Sequence, residues 1–201
     1  MRSNSSRSWL AVCLVAALAP PQAWAMDFTP RQARTFEDGV PSLRSFFKDG
    51  NAQIFFHVAK GWRLAGGGNE VMIYPSALDG YIRLGNSPVG AAVPFDENGL
   101  PKYVEAARGM LPKQAEAIEI LSQEADAYPL DDWKSYEMWF GYEVCGVKSV
   151  CWILFITMTP ERQICYVVDG KKQNFDAIYA DSRAMLGSWF EPPAGWPLAA
   201  R

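Results

Sequence analysis

YEVCGVKSVCWILFITMTPERQICYVV, residues 142–168, decides the fold. With the preceding residues it divides into three apolar runs: YEMWFGYEV (136–144), VCWILFITMT (150–159) and QICYVV (163–168). Each run is rich in β-branched and aromatic residues and has strand length. The connectors CGVKS and PER are too short for a crossover, so the three runs form an antiparallel meander. Centring the first turn on Lys148 sets Tyr142 against Leu154 and makes one face of the pair wholly apolar. Burial of one face is what fixes register in a sheet. In that register Cys145 stands opposite Cys151, within disulfide reach. The expectation is a Cys145–Cys151 disulfide that staples the hairpin, worth about 2 kcal/mol on a chain-entropy estimate. The turn at PER leaves Cys165 opposite Thr157, far from both other thiols, so Cys165 is expected to be free.

Working outward, FDAIYADSRAMLGSW (175–189) places Phe175, Ile178, Tyr179, Ser182, Leu186 and Trp189 at helical spacing. A helix over 174–189 therefore lays one stripe on the sheet. A second helix is predicted over 101–111, with Pro101 in the first turn, where no N–H is needed. SLRSFFKDGNAQIFFHV reads as a hairpin around Asp49-Gly50-Asn51. VMIYP (71–75), YIRLG (81–85) and 118–128 read as strands, and AGGGNE (65–70) as a loop. Residues 26–42 read as an irregular arm with one short strand near 35–40. Residues 43–190 form a single α+β domain, and 191–201 a proline-rich tail. The predicted architecture is roughly five to seven antiparallel strands in a sheet, with helices packed on it.

The N-terminus bounds the compartment. Arg2 and Arg7 precede an apolar run, Trp9 to Ala19, that is too short to span a bilayer, and Ala23 and Ala25 supply an A-x-A site. Residues 1–25 read as a signal peptide, giving an exported, periplasmic or extracellular protein whose thiols meet an oxidising environment. Cys13 leaves with the leader. The net charge of −3, with no basic block, excludes nucleic acid as a natural partner. No later stretch is long and apolar enough to cross a membrane.

Little here looks catalytic. The chain has a single histidine, His57, too few for a zinc site, and Cys-x5-Cys is not zinc spacing. No cofactor motif is present, and no metal or cofactor is expected. Glu137 and Glu143 lie six residues apart on one strand, about 20 Å, too far for a shared site. The reading that keeps chemistry pairs Cys165 as nucleophile with His57 as base. A third reading is a small-molecule carrier using a cavity between sheet and helix. Trp139 and Trp196 are the aromatics expected at the surface, where they would mark an interaction site.

The order of elements resembles that of PsbP-like domains. FFHVAKGWRL (55–64), VMIYP and YIRLGN match the opening strands, although Ala59 stands where proline is more usual. YVEAARGML (103–111) resembles the first crossover helix. YEVCGVKSVCWILFIT, ICYVV and FDAIYADSRAMLGSWF resemble the closing hairpin, last strand and C-terminal helix. The resemblance spans residues 54–190. It implies an α/β/α sandwich around an antiparallel sheet. It also implies the family's usual trade, binding and assembly with protein partners, and brings no catalytic residues. The resulting expectation is a non-enzymatic binding or accessory domain with a protein partner.

Overall fold

The computed structural model describes residues 26–126, 133–189 and 198–199. The predicted leader, Trp196 and most of the predicted tail lie outside the described residues. Two antiparallel sheets are present. The larger has seven strands: β4 (Trp62–Gly67), β5 (Glu70–Pro75), β6 (Gly80–Asn86), β7 (Glu116–Ala125), β8 (Lys134–Val144), β9 (Val147–Thr159) and β10 (Arg162–Lys171). Their spatial order is β4-β5-β6-β10-β9-β8-β7. The smaller sheet contains β1 (Asp27–Glu37), β2 (Val40–Asp49), β3 (Ala52–Phe56) and β11 (Leu198–Ala199), in the order β11-β1-β2-β3. Helices α1 (Leu100–Met110) and α2 (Lys172–Leu186) complete the α+β architecture.

The central strands of the seven-stranded sheet are buried on both faces, so the sheet separates two cores. On one face, Trp152, Leu154, Tyr166 and Val168 meet Phe175, Ile178, Met185 and Leu186 of α2, together with Phe28, Phe47 and Phe56 of the smaller sheet. On the other, Met138, Phe140, Ile153, Phe155 and Val167 meet Tyr103, Ala107 and Leu111 on and just beyond α1. The helical stripe expected on α2 is the one that packs, since Phe175, Ile178, Ser182 and Leu186 are buried.

Four expectations are corrected. The β8–β9 hairpin turns at Cys145-Gly146, not at Lys148: Val144 pairs with Val147, and Cys151 with Phe140. Both turn residues have positive φ, 50° and 77°, which is the geometry of a tight two-residue hairpin. Burial could not reject the wrong register, because residues 151–156 of β9 are buried without alternation. With Cys151 four residues, about 13 Å, along the strand from the turn, the expected disulfide does not form, and Cys145, Cys151 and Cys165 are all free thiols.

The second correction lies in the arm. Residues 27–49 form a long hairpin turning at Asp38-Gly39, again with φ of 50° and 80°. Pro30 is tolerated there because the β1–β2 register shifts between Asp27 and Arg31. Third, the glycine stretch is not a loop but the β4–β5 hairpin. A Cβ at Gly67 would lie 2.9 Å from the Thr29 hydroxyl, so the glycines admit β1 close to the larger sheet. Phe28 N–H donates to the Gly68 carbonyl at 2.8 Å, and Gly68 N–H to Thr29 Oγ1 at 3.0 Å. Fourth, Cys165 pairs with Phe155, not Thr157, because the β9–β10 register shifts next to the turn.

Candidate functional site

The polar chemistry inside the molecule gathers on the α1 side of the larger sheet. Asp169 on β10 faces Cys151 on β9 and Tyr81 on β6 as cross-strand neighbours. It is 6% exposed. Tyr142 on β8 donates its phenolic proton to Asp169 Oδ2 at 2.6 Å, and the Cys151 thiol also hydrogen-bonds to that carboxylate. Burial raises the Asp169 pKa, while the two donors and the Arg83 guanidinium pull it back. The same burial, together with the Asp169 charge, pushes the Tyr142 phenol, the Tyr81 phenol and the Cys151 thiol upward. A carboxylate with two donors in a tight interior is a positioning network for strands β8, β9 and β10. The sequence signal was available: an aspartate ending the apolar run ICYVV is unusual inside a strand that buries both faces.

Cys165 lies on the same face, 4% exposed. Its thiol donates to the Met110 thioether at 3.5 Å. Burial pushes the thiol up to about 12, with Arg83 acting in the opposite direction. Beside it is a cavity of about 220 Å³ lined by Glu70, Arg83, Asn86, Met110 and Cys165. His57 lies elsewhere. It is exposed just after β3, and its backbone N–H donates to Ser188 Oγ at 2.8 Å, beyond the end of α2. The sheet therefore stands between His57 on the α2 side and Cys165 on the α1 side, and the expected nucleophile–base pair is not assembled.

Trp139 is not a surface aromatic. It is partly buried against Phe175 and Tyr179 of α2, at ring-centroid distances of 5.7 and 4.9 Å. Its indole N–H donates to Glu137 Oε1 at 3.2 Å, and the Trp152 indole donates to Glu137 Oε2 at 3.0 Å. Glu137 is thus an anchor for two tryptophans. The exposed large apolar residues lie elsewhere: Phe36, Val40 and Leu43 on the β1–β2 hairpin, Leu121 on β7, and Val147.

Beside α1, a groove of about 610 Å³ is open along β7, lined by Leu100, Pro101, Val104, Arg108 and Gln123 with Glu97 and Glu105. Among the described residues, no cluster of three or more His, Cys, Asp and Glu side chains could hold a metal ion, and no helix is long and apolar enough to cross a membrane.

Neither a protein-family model nor a curated protein matches the chain. Solved structures do resemble it in fold. LpqN from Mycobacterium tuberculosis, described as involved in cell envelope biogenesis, is 10% identical with a TM-score of 0.46, over 82% of this chain and 92% of that one. PA94 from Pseudomonas aeruginosa, described as a protein of unknown function and regulator candidate, is 10% identical with a TM-score of 0.42, over 82% and 99%. The cyanobacterial PsbP of Synechocystis is 12% identical with a TM-score of 0.42, over 91% and 99%. At this identity and these scores the likeness is one of chain course, and it assigns no residue a role.

Proposed function

We propose that this chain is an exported accessory domain that acts by holding another protein rather than by turning over a substrate. The observation that carries the reading is the state of Cys165. Its thiol is buried, and burial drives its pKa to about 12, so at neutral pH it is protonated and a poor nucleophile. The base that would activate it, His57, is on the far side of the sheet. Cys151 is fully buried and its thiol is pushed up as well. The leader pattern of residues 1–25 supports export. The carrier reading has less support: the pocket beside Cys165, about 220 Å³, is smaller than the roughly 300–1,000 Å³ of ordinary ligand pockets, and the larger groove beside α1, about 610 Å³, is an open surface trough rather than an enclosed site.

The test is thiol reactivity on the folded, exported chain. Iodoacetamide should modify Cys145, which is exposed, and leave Cys151 and Cys165 intact until the protein is unfolded. Fast labelling of Cys165 in the native state, slowed by His57→Ala, would overturn the reading and restore a thiol enzyme.

A further inference from the structure

Strand β7 ends the larger sheet and, among the described residues, pairs with β8 alone. Most of its side chains are exposed. Its outer backbone edge therefore offers unpaired N–H and C=O groups. Register shifts between Glu116 and Glu119 and between Ile120 and Ser122 interrupt the ladder. The regular part of the strand is Ser122–Ala125, and Gln123 in that part also lines the groove beside α1.

The two faces of this edge differ in chemistry. Gln123 pairs with Met138 and Ala125 with Tyr136, both in the α1-side core. On that face the edge borders a mostly apolar groove in which Leu100, Pro101 and Val104 are joined at its lining by the charged side chains of Glu97, Glu105 and Arg108. Ser122 pairs with Trp139 and Glu124 with Glu137, on the opposite face. Glu119, opposite Gly141, and Glu116, opposite Glu143, share that side, together with the exposed Leu121, whose side chain lies against Gly141. The strand EAIEILSQEA carries three glutamates and no basic residue. A strand added to β7 would send alternate side chains to a mostly apolar groove and to an acidic face.

We propose that β7 is the docking edge of this domain, and that its occupant is an extended segment of a partner protein in which apolar residues alternate with Lys or Arg. Main-chain hydrogen bonds to Ser122–Ala125 hold the segment, and the alternation sets its register. The glutamates select a cationic partner and speed its approach. The inference rests on the accessory-domain reading and names its surface.

The test uses the full exported chain and fluorescently labelled peptides. A Val-Lys alternating peptide should bind by anisotropy. A Val-Glu alternating peptide and a peptide of the same Val and Lys residues in two blocks should not. Binding should weaken about tenfold in Glu119→Lys/Glu124→Lys, whose side chains are exposed and whose unchanged urea midpoint is checked alongside, and in Val104→Lys, which fills the groove. Equal binding of the block peptide, or no effect of the charge reversal, would overturn the proposal. A natural partner cross-linked elsewhere on the surface would sink the β7 assignment while leaving the accessory reading intact. A reactive native Cys165 would sink the accessory reading whatever the peptides do.

Discussion

The phenol of Tyr142 donates to the carboxylate of Asp169 at 2.6 Å inside the protein, tying β8 to β10 across the intervening β9. Both side chains are buried, at 4% and 6% exposure, so water cannot replace the bond. Tyr142→Phe removes a donor from a buried charge and should cost about 1–3 kcal/mol in stability by urea unfolding. In an Asp169→Asn background the same substitution should cost less, because the uncharged amide needs the donor less. The difference is the coupling that a double-mutant cycle reads.

Asp169 also gives stability a pH dependence. Burial raises its pKa above the usual carboxylate value of 3.8, so folding favours the protonated acid. Its contribution is full below pH 3.8 and is lost as pH rises through the higher folded value. Asp49 shifts in the same direction, also by burial, whereas hydrogen bonds to Thr29 lower Asp27 to about 2. The total curve therefore mixes signs, and the comparison with Asp169→Asn isolates this group. The stability of the wild type relative to Asp169→Asn should decline as pH is raised from 3.8 through the higher folded value. A relative stability that rises over that interval would contradict the assigned direction.

How far the sequence could be read depended on which strands alternate. α2 was legible because Phe175, Ile178, Ser182 and Leu186 repeat at helical spacing and one stripe is buried. α1 was legible from Pro101 and the apolar positions after it. The meander was legible as three strands but not in register. Residues 151–156 are buried throughout, so a shift of several residues leaves every one of them apolar and adequately housed. Turn chemistry held the answer: Cys145-Gly146 takes the conformation usual for Asn-Gly, yet cysteine is not a turn residue by habit. Asp38-Gly39 carried the usual signal, but Pro30 and Pro41 on either side masked it. The polar network escaped because Tyr142, Cys151 and Asp169 come together only once the register is right.

The Cys145-Gly146 turn makes its own prediction. Cys145 holds φ of 50°, a region that asparagine tolerates and β-branched residues resist. Cys145→Asn should be neutral or slightly stabilising, and Cys145→Val should destabilise by about 1–2 kcal/mol. Thermal unfolding under reducing conditions checks both and removes any contribution from intermolecular oxidation of the exposed thiol.

Glu137 accepts indole protons from both Trp139 and Trp152. Glu137→Ala should destabilise by about 1–3 kcal/mol, since the Trp152 side chain is fully buried and its N–H loses this acceptor. Glu137→Gln should fall between, because its single carbonyl oxygen replaces two carboxylate oxygens. Tryptophan emission should shift to the red in the alanine variant as the packing of Trp139 on Phe175 and Tyr179 loosens.

The contact between α2 and the sheet is set by two glycines. Gly80 and Gly170 are cross-strand partners beneath Ile178. A Cβ at Gly170 would lie 2.9 Å from Ile178 Cδ1 and 3.3 Å from the Asp79 carbonyl oxygen, so the main obstacle is the end of one side chain. A Cβ at Gly80 would run into the same Cδ1 and also into the Asp169 carbonyl oxygen at 2.5 Å, which is backbone and cannot rotate away. Both alanine substitutions should destabilise by about 1–3 kcal/mol, Gly80→Ala the more. Ile178→Val removes the Cδ1 atom. In that background Gly170→Ala should cost little further, while Gly80→Ala should keep most of its penalty, because the Asp169 carbonyl is still in the way. Urea midpoints of the four single and double variants, each against its own parent, separate the side-chain obstacle from the backbone one.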